Sequence, residues 1–525
     1  MIQTLKFSFL SILLFFAHHG LLVAQDESNS ERPNILFILS DDHTSQAWGI
    51  YGGVLADYVK NENIQRLASE GVVLENAFCT NSICTPSRGS ILTGQYSHRN
   101  SVFTLNEPLP KGHPNIAKTL SEIGYQTAVI GKWHLVNQPE GFDYFNVLPG
   151  QGRYWNPILK TMENWQNGTN SSSGKEYKGF STDVIADLTI DYLKERDSDK
   201  PFLLFCNFKA THEPFDYPDR FQSLYKNEEI PEPESLYDFG PETTGRTFIG
   251  QKLEKLGRRW EDASKNPKKG WTTYPGLPYF SEELDSTQMR KKIYQKFIKD
   301  FMRSGAAIDD NIGKLLDYLE TEGIANNTIV IYTADQGYFL GEHGFFDKRM
   351  IYEESLRMPF VVRYPKEVKG GRRIDDIILN IDFPALLADY AGVRKPKFIQ
   401  GMSFRKNLEG NTPVHWRKQL YYRYWLHHPE RPAHFGIRNE RYKLAFFYGQ
   451  GLEKKGASPE TTPTAWEFYD LLEDPKENRN AVDNPKYAAI ISEMKRALVK
   501  ERKKYGDTDS DYAAMQSILE QNGLK

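Results

Sequence analysis

Four short apolar runs each break off at polar or charged residues, and this pattern constrains the fold more than any other feature. Asn34–Ser40 (NILFILS) stops at Asp41 and Asp42, and Gln126–Ile130 passes through Gly131 into Lys132, Trp133 and His134. Pro201–Phe208 ends at Thr211, His212, Glu213 and Pro214, and Thr328–Thr333 leads to Asp335. Short apolar runs bounded in this way read as buried strands. Helical segments alternate with them: Asn63–Glu70 before Gly71, a helix opening at Pro86, Asn115–Ile123 before Gly124, Ser181–Leu193, and a long amphipathic stretch near Tyr294–Glu320. Phe360–Arg363 and Asp382–Tyr390 add one more strand and helix. The alternation predicts an α/β protein with a large, mostly parallel sheet. Ligands of such sheets bind at the carboxyl ends of the strands, so the strand-end polar residues are expected in one crevice.

With 525 residues the chain is long enough for two or three units at roughly 100–200 residues each. Its 66 basic and 69 acidic side chains nearly balance, which excludes a strongly basic nucleic-acid binder and a chain disordered by charge. The aromatic content of 13% suits a packed core and also flat faces for sugar rings. Lys6, the apolar run Phe7–Phe16 and the patch Leu21–Ala24 have the layout of a secretory signal peptide within residues 1–25. The run is shorter than the roughly 20 residues a membrane span needs. No cysteine follows it, so a lipid anchor is not expected, and the mature chain is expected to be secreted or periplasmic with no membrane span. Three cysteines do not make a disulfide scaffold, and Cys79 and Cys206 read as buried packing residues. Two regions leave the strand–helix rhythm. Pro218–Gln288 reads as an insertion lying over the site. From about Gln400 a separate unit is expected, with strands Leu420–Leu426, Phe435–Ile437 and Tyr442–Tyr448 and a charged helix near Lys486–Lys504.

Three sets of residues carry chemistry. The first is Cys84-Thr85-Pro86-Ser87-Arg88, continued by Gly89-Ser90-Ile91-Leu92-Thr93-Gly94. A residue at a helix start lies beside unpaired N–H groups and the positive end of the dipole, which favours an anion. Arg88 follows one turn later on the same side. The second is an oxygen set: Asp41, Asp42, Asp335 and Gln336. Carboxylates and an amide oxygen, with no His or Cys cluster, suit a hard ion such as Ca²⁺ better than Zn²⁺. The third is basic: Lys132 and His134, His212, and Lys348 after Leu340-Gly341-Glu342-His343-Gly344.

Cys84 to Arg88 with its Leu-Thr-Gly continuation, Gly131-Lys132-Trp133-His134, Thr211-His212-Glu213-Pro214 and Leu340–Gly344 with Lys348 together resemble the type I, formylglycine-dependent sulfatases over about residues 32–395. The segment Trp466–Leu471 to Glu477-Asn478 resembles the smaller C-terminal domain of these enzymes, here about residues 400–510. The resemblance implies an alkaline-phosphatase-like sandwich plus a smaller C-terminal α+β domain with an antiparallel sheet. It implies that a maturation enzyme oxidises Cys84 to formylglycine (3-oxoalanine). One hydroxyl of the hydrated aldehyde would attack sulfur. One calcium ion would be held by Asp41, Asp42, Asp335, Gln336 and the oxygen at position 84. Arg88 would hold the hydrated aldehyde. Lys132 and Lys348 would bind the sulfate, His212 would protonate the leaving alcohol, and His134 would remove the remaining hydroxyl proton.

Within the family the chain resembles bacterial polysaccharide sulfatases. The segments Gly150–Pro157 and Tyr422–Gly436 offer Arg153, Tyr154, Trp155, His427 and His428 as substrate contacts, with Arg438 just beyond. The expected substrate is a sulfated oligosaccharide, first an algal one such as ulvan or carrageenan, second a glycosaminoglycan. Two rivals remain: a phosphate or phosphonate ester hydrolase of the same fold, which a second metal site with extra Asp or His ligands would favour, and a non-catalytic sulfated-glycan-binding protein.

Overall fold

The computed structural model describes residues 32–525 apart from 167, 171–172, 240–243, 248–251, 267–273 and 281–283, so the signal-peptide segment lies outside the described residues. Strand β1 (Asn34–Asp41) is buried along its whole length. Ile35, Phe37 and Leu39 enter one apolar cluster and Leu36 and Ile38 another, the two-residue alternation of a strand covered on both faces. The sheet is completed by β2 (Val72–Leu74), β3 (Gln126–Lys132), β4 (Tyr144–Leu148), β5 (Phe202–Thr211), β6 (Thr328–Ala334), β7 (Phe360–Arg363) and β8 (Arg372–Ile374). Their order is β8-β2-β7-β6-β1-β5-β3-β4. From β6 to β4 every neighbouring pair is parallel, whereas β7 runs antiparallel to both β6 and β2. The strands with polar ends, β6, β1, β5 and β3, are consecutive neighbours, so their carboxyl ends share one edge of the sheet.

Helices cover both faces. α1 (Glu62–Glu70), α2 (Cys84–Thr93), α3 (Ile116–Ser121), α4 (Ser181–Glu195), α5 (Leu253–Lys265), α6 (Ser286–Thr321), α7 (Phe383–Tyr390) and α8 (Ala488–Tyr505) are the ones that matter here. Ile64 of α1, Ile185 of α4 and Ile312 of α6 pack on the Leu36 face, while Ile91 of α2, Ile116 of α3 and Leu386 of α7 pack on the Phe37 face. α6 opens at Ser286, well before the apolar periodicity begins near Tyr294. Its cap is Asp285, whose carboxylate accepts the Gln288 N–H at 2.8 Å. The polar first turns carry no apolar stripe, which hides this start from a periodicity reading.

The C-terminal sheet is antiparallel and in chain order: β9 (Gln419–Tyr424), β10 (His434–Asn439), β11 (Tyr442–Phe447) and β12 (Ala465–Asp470). β12 is the strand the sequence reading did not list. Tyr421, Phe435 and Leu444 belong to the same buried cluster as Phe37 and Leu39, so this sheet shares the core of the large one. Beneath it, Arg423 pairs with Asp507 at 2.6 Å and Asp509 at 2.8 Å, and Arg502 pairs with Asp509 at 2.6 Å, all of them buried. Burial opposes the Asp507 charge, but Arg423 and His98 outweigh it and hold the carboxyl down to about 2. A carboxyl depressed in the folded state stabilises above its ordinary range, and that contribution is lost as pH falls through about 2. Arg423→Met leaves buried acids under-paired and should cost about 3–5 kcal/mol, with acid unfolding moved to higher pH. Denaturant titrations at neutral and acid pH measure both. An unchanged midpoint would mean that the network adds no stability.

No helix among the described residues is long and apolar enough to cross a membrane.

Candidate active site

Cys84 is the first residue of α2, and all ten residues of that helix are buried. Pro86 sits in the first turn, where its missing N–H costs nothing. The helix stops at Gly94, whose φ of 68° closes it with an N–H bond to the Ser90 carbonyl at 2.8 Å. The Cys84 thiol lies 3.7 Å from Asp42 Oδ1. Burial first, then the Asp41 charge, pushes that thiol well above its ordinary range, so an unmodified cysteine here is a protonated, weak nucleophile. Arg88, one turn along, donates from Nε to Asp335 Oδ2 at 2.9 Å and from Nη1 to the Lys132 carbonyl at 2.7 Å. Its Nη2 is 3.5 Å from Asp41 Oδ1.

Successive strand residues ordinarily point to opposite faces, which would separate Asp41 from Asp42. The chain avoids this by turning left-handed at Asp42, where φ is 62°. The Asp42 N–H then donates to Asp335 Oδ1 at 3.1 Å, and Asp41, Asp42 and Asp335 each bring a carboxylate oxygen within 4.8 Å of the others. Gln336 donates its amide N–H to Asp42 Oδ1. Gln336 Oε1 and Asp41 Oδ1 are buried without a hydrogen-bond partner among the described residues.

The three acids conflict. Burial pushes Asp42 up against the pull of Lys348, and burial with the Asp41 charge pushes Asp335 up to about 7. At Asp41 burial is outweighed by Lys132, His212, Arg88 and Lys348, and the carboxyl is held well below its usual range. Orphaned buried oxygens among crowded carboxylates fit a hard divalent cation. Among the described residues the other group able to hold a metal, Asp41, Cys84 and His212, shares Asp41 with this one, so there is no separate second centre of the kind a two-metal phosphoesterase needs.

Lys132 arrives from the end of β3, and Lys348 from just after the short strand Phe346–Asp347 outside the large sheet. Lys132 contacts Asp41 and donates to Gln151 Oε1 at 2.6 Å. Gly131 precedes it with φ 98°, and a Cβ there would stand 2.0 Å from the Asn207 carbonyl oxygen, so only glycine lets β3 approach β5 this closely. Lys348 contacts Asp42, and despite burial that carboxylate raises the Lys348 ammonium above its usual range. His134, left-handed at φ 56°, has Nδ1 buried without a partner among the described residues. His212 places Nε2 3.7 Å from Asp42 Oδ2 and Nδ1 2.8 Å from the Glu213 carbonyl. That carbonyl fixes the proton on Nδ1 of the neutral ring and leaves Nε2 facing the acids. Burial, then the Lys132 charge, holds both histidines well below their ordinary value.

The structure thus brings Asp41, Asp42, Cys84, Arg88, Lys132, His134, His212, Asp335, Gln336 and Lys348 into one centre. The sugar-contact candidates divide. Arg438 is corrected: it is buried on β10, 3.2 Å from Glu353 and stacked on Phe78. His427 is corrected as well, because its ring is buried and engaged by the Glu460 carbonyl at 2.8 Å and the Ala433 N–H at 3.0 Å. Tyr154 is buried too, and offers no free face. Its ring stacks on Phe180, and its hydroxyl donates to the His212 carbonyl at 2.7 Å. Arg153, Trp155 and His428 are exposed, Arg153 in an ion pair with Glu176.

Three residues have roles at the site that the sequence did not assign to them. Gln151 holds Lys132. Glu213 receives Arg259 of α5 at 2.9 and 2.8 Å, which ties the described part of the 218–288 insertion to the loop carrying His212. Lys209 is buried beside the site, and burial, then the Lys132 charge, brings its ammonium down to about 7. Its only signal was a lysine at the end of an otherwise apolar strand.

A parallel sheet that gathers a helix-start cysteine, a carboxylate cluster and opposed cations at one edge defines a hydrolase of anionic esters. The chain belongs to the sulfatase family and is a sulfuric ester hydrolase: the family model described as Sulfatase matches residues 33–393, and the one described as N-sulphoglucosamine sulphohydrolase, C-terminal, matches 341–504. It is 36% identical over 521 residues to an N-acetylglucosamine-6-O-sulfatase of Bacteroides thetaiotaomicron, covering 92% of this chain and 89% of that one. It is 24% identical to an ulvan-active sulfatase of Formosa agariphila, over 95% and 86% of the two chains. A solved structure in complex with its substrate D-glucosamine-2-N,6-O-disulfate superposes with a TM-score of 0.82 at 34% identity, covering 92% of this chain and all of that one.

Proposed function

We propose that the protein removes 6-O-sulfate from N-acetylglucosamine or glucosamine residues of glycosaminoglycan fragments. The observation that carries this reading is near-full-length likeness to a 6-O-sulfatase and to a structure holding a 6-sulfated glucosamine, on a chain whose own site gathers the required groups. It reverses the order of substrates expected from sequence: the ulvan-active relative shares less, and glycosaminoglycan comes first. The signal-like segment supports export, and maturation of Cys84 calls for a formylglycine-generating enzyme as partner.

Asp41, Asp42, Asp335 and Gln336 would hold one Ca²⁺. That ion supplies positive charge to the sulfate oxygens, and matured position 84 supplies the hydroxyl nucleophile. This chain's own residues do the rest. Lys132 and Lys348 bind the sulfate and stabilise the negative charge that spreads over its oxygens. Arg88, anchored on Asp335, orients residue 84. His212 is neutral in the free site; an arriving sulfate anion favours its protonated form, and Nε2 then gives the proton to the departing sugar oxygen. His134, neutral and with Nδ1 unengaged, accepts the proton lost from residue 84.

A leaving-group test follows. His212→Ala should lose about 10²–10⁴-fold against a sugar sulfate, whose alkoxide needs the proton. It should lose far less against an aryl sulfate whose phenolate leaves unaided. Equal losses on both would remove His212 from the acid role.

A further inference from the structure

Five lysines are buried among the described residues, and four of them have partners. Lys132 holds Asp41 and Gln151, Lys348 holds Asp42, Lys443 lies between Glu353 and Glu477 at 3.0 and 2.7 Å, and Lys160 donates to backbone carbonyls. The fifth, Lys209, is 2% exposed, and its ammonium makes no hydrogen bond or close ion pair with any described residue. Its Nζ stands 4.8 Å from the centroid of the Tyr154 ring.

The strand is deformed at this residue. Leu39 of β1 pairs with Asn207 and Asp41 pairs with Thr211, so Phe208, Lys209 and Ala210 oppose the single residue Ser40. Bulges beside active sites re-aim side chains that a regular strand would send elsewhere. Here the re-aimed ammonium lies within electrostatic range of Asp41, Asp42, Cys84 and Lys132, and its charge acts on His212. The wall it rests on is equally bound to the site: Gln151 receives Lys132, and Tyr154, three residues on, holds the His212 carbonyl.

A desolvated ammonium without a counter-charge is costly, and a ring face offsets only part of that cost. A cavity that admits an anionic ester supplies the missing charge with each substrate. We propose that Lys209 is an anion-binding residue of the active site, its Nζ donating to a sulfate oxygen of the bound ester on the side of Lys132 and His212. The inference rests on the sulfatase reading of the centre and not on the identity of the sugar.

The test uses the full matured chain as wild type, Lys209→Met, Lys209→Gln and Lys209→Arg. Inorganic sulfate is titrated into each by calorimetry, and kcat and KM are measured on 6-sulfated N-acetylglucosamine. Sulfate should bind at least about tenfold more weakly to the two neutral variants. The arginine variant should recover most of the affinity, with thermal unfolding unchanged. The loss of kcat/KM should follow the loss of sulfate affinity. Sulfate binding within twofold of wild type in whichever neutral variant folds would overturn the proposal, as would a loss shared equally by the arginine variant. Sulfate binding is read without any sugar. A wrong glycan would therefore show as wild type that binds sulfate but releases none, leaving the Lys209 comparison intact.

Discussion

Cys84→Ala is expected to abolish sulfate release, a fall of about 10⁴-fold or more, while the folded structure survives. The thiol's hydrogen-bond contact is with Asp42 Oδ1 at 3.7 Å, and truncation removes a single buried sulfur, worth about 1 kcal/mol. The chemical loss is of another size. Lys132, Lys348, Arg88 and the acids can still gather around a sulfate ester, but no group on the chain can then attack sulfur. A Cys84→Ser chain should also fail to turn over, because serine carries a single hydroxyl: once sulfated, it has no second hydroxyl whose deprotonation could expel the sulfate. Circular dichroism, thermal unfolding and sulfate release on the same preparations check all three statements. Near-wild-type release by Cys84→Ala would place the nucleophile elsewhere.

The second large effect concerns the acids. Without a cation, burial drives Asp42 up and Asp335 to about 7 while Asp41 stays ionised, an arrangement of unequal neighbours forced into one small volume. Removing divalent ions with a chelator should therefore lower sulfate release by about 10³-fold and lower the unfolding temperature. A ligand that binds only the folded state at a hundred times its Kd adds about 2.7 kcal/mol, and the chelated protein should lose an amount of that order. Added Ca²⁺ should restore both stability and turnover. Zn²⁺ should restore neither, because the donors are oxygens. Asp335→Ala should resemble the chelated state and resist rescue. Activity and unfolding untouched by the chelator would contradict the cation site.

Much of this was legible in the sequence because central parallel strands are covered on both faces. Asn34–Ser40 and Thr328–Thr333 could be read as strands without knowing their neighbours, and the abrupt charges after them could be read as one crevice. Residue pairs far apart in sequence were not legible. Arg438 has the same side chain whether it meets a uronate or, as here, Glu353 packed against Phe78. His427 looked like a polar aromatic in a substrate loop, yet its ring is spent on Glu460 and Ala433. Tyr154 looked like a stacking platform and instead holds His212 from behind. Lys209, just past the Pro201–Phe208 run, drew no attention because the bulge that re-aims it is visible only when β1 and β5 are paired. The start of α6 was hidden by a polar first turn capped by Asp285. The order of sugars was not legible, because aromatic and arginine-rich segments fit algal and glycosaminoglycan chains alike.

The most direct test is sulfate release from 6-sulfated N-acetylglucosamine and glucosamine beside ulvan and carrageenan oligosaccharides. The chain should be made with a formylglycine-generating enzyme, and conversion of Cys84 confirmed by peptide mass. Release is expected from the 6-sulfated glucosamines, dependent on Cys84 conversion and Ca²⁺. Release confined to the algal oligosaccharides, or none from any glycan by fully converted protein, would contradict that expectation.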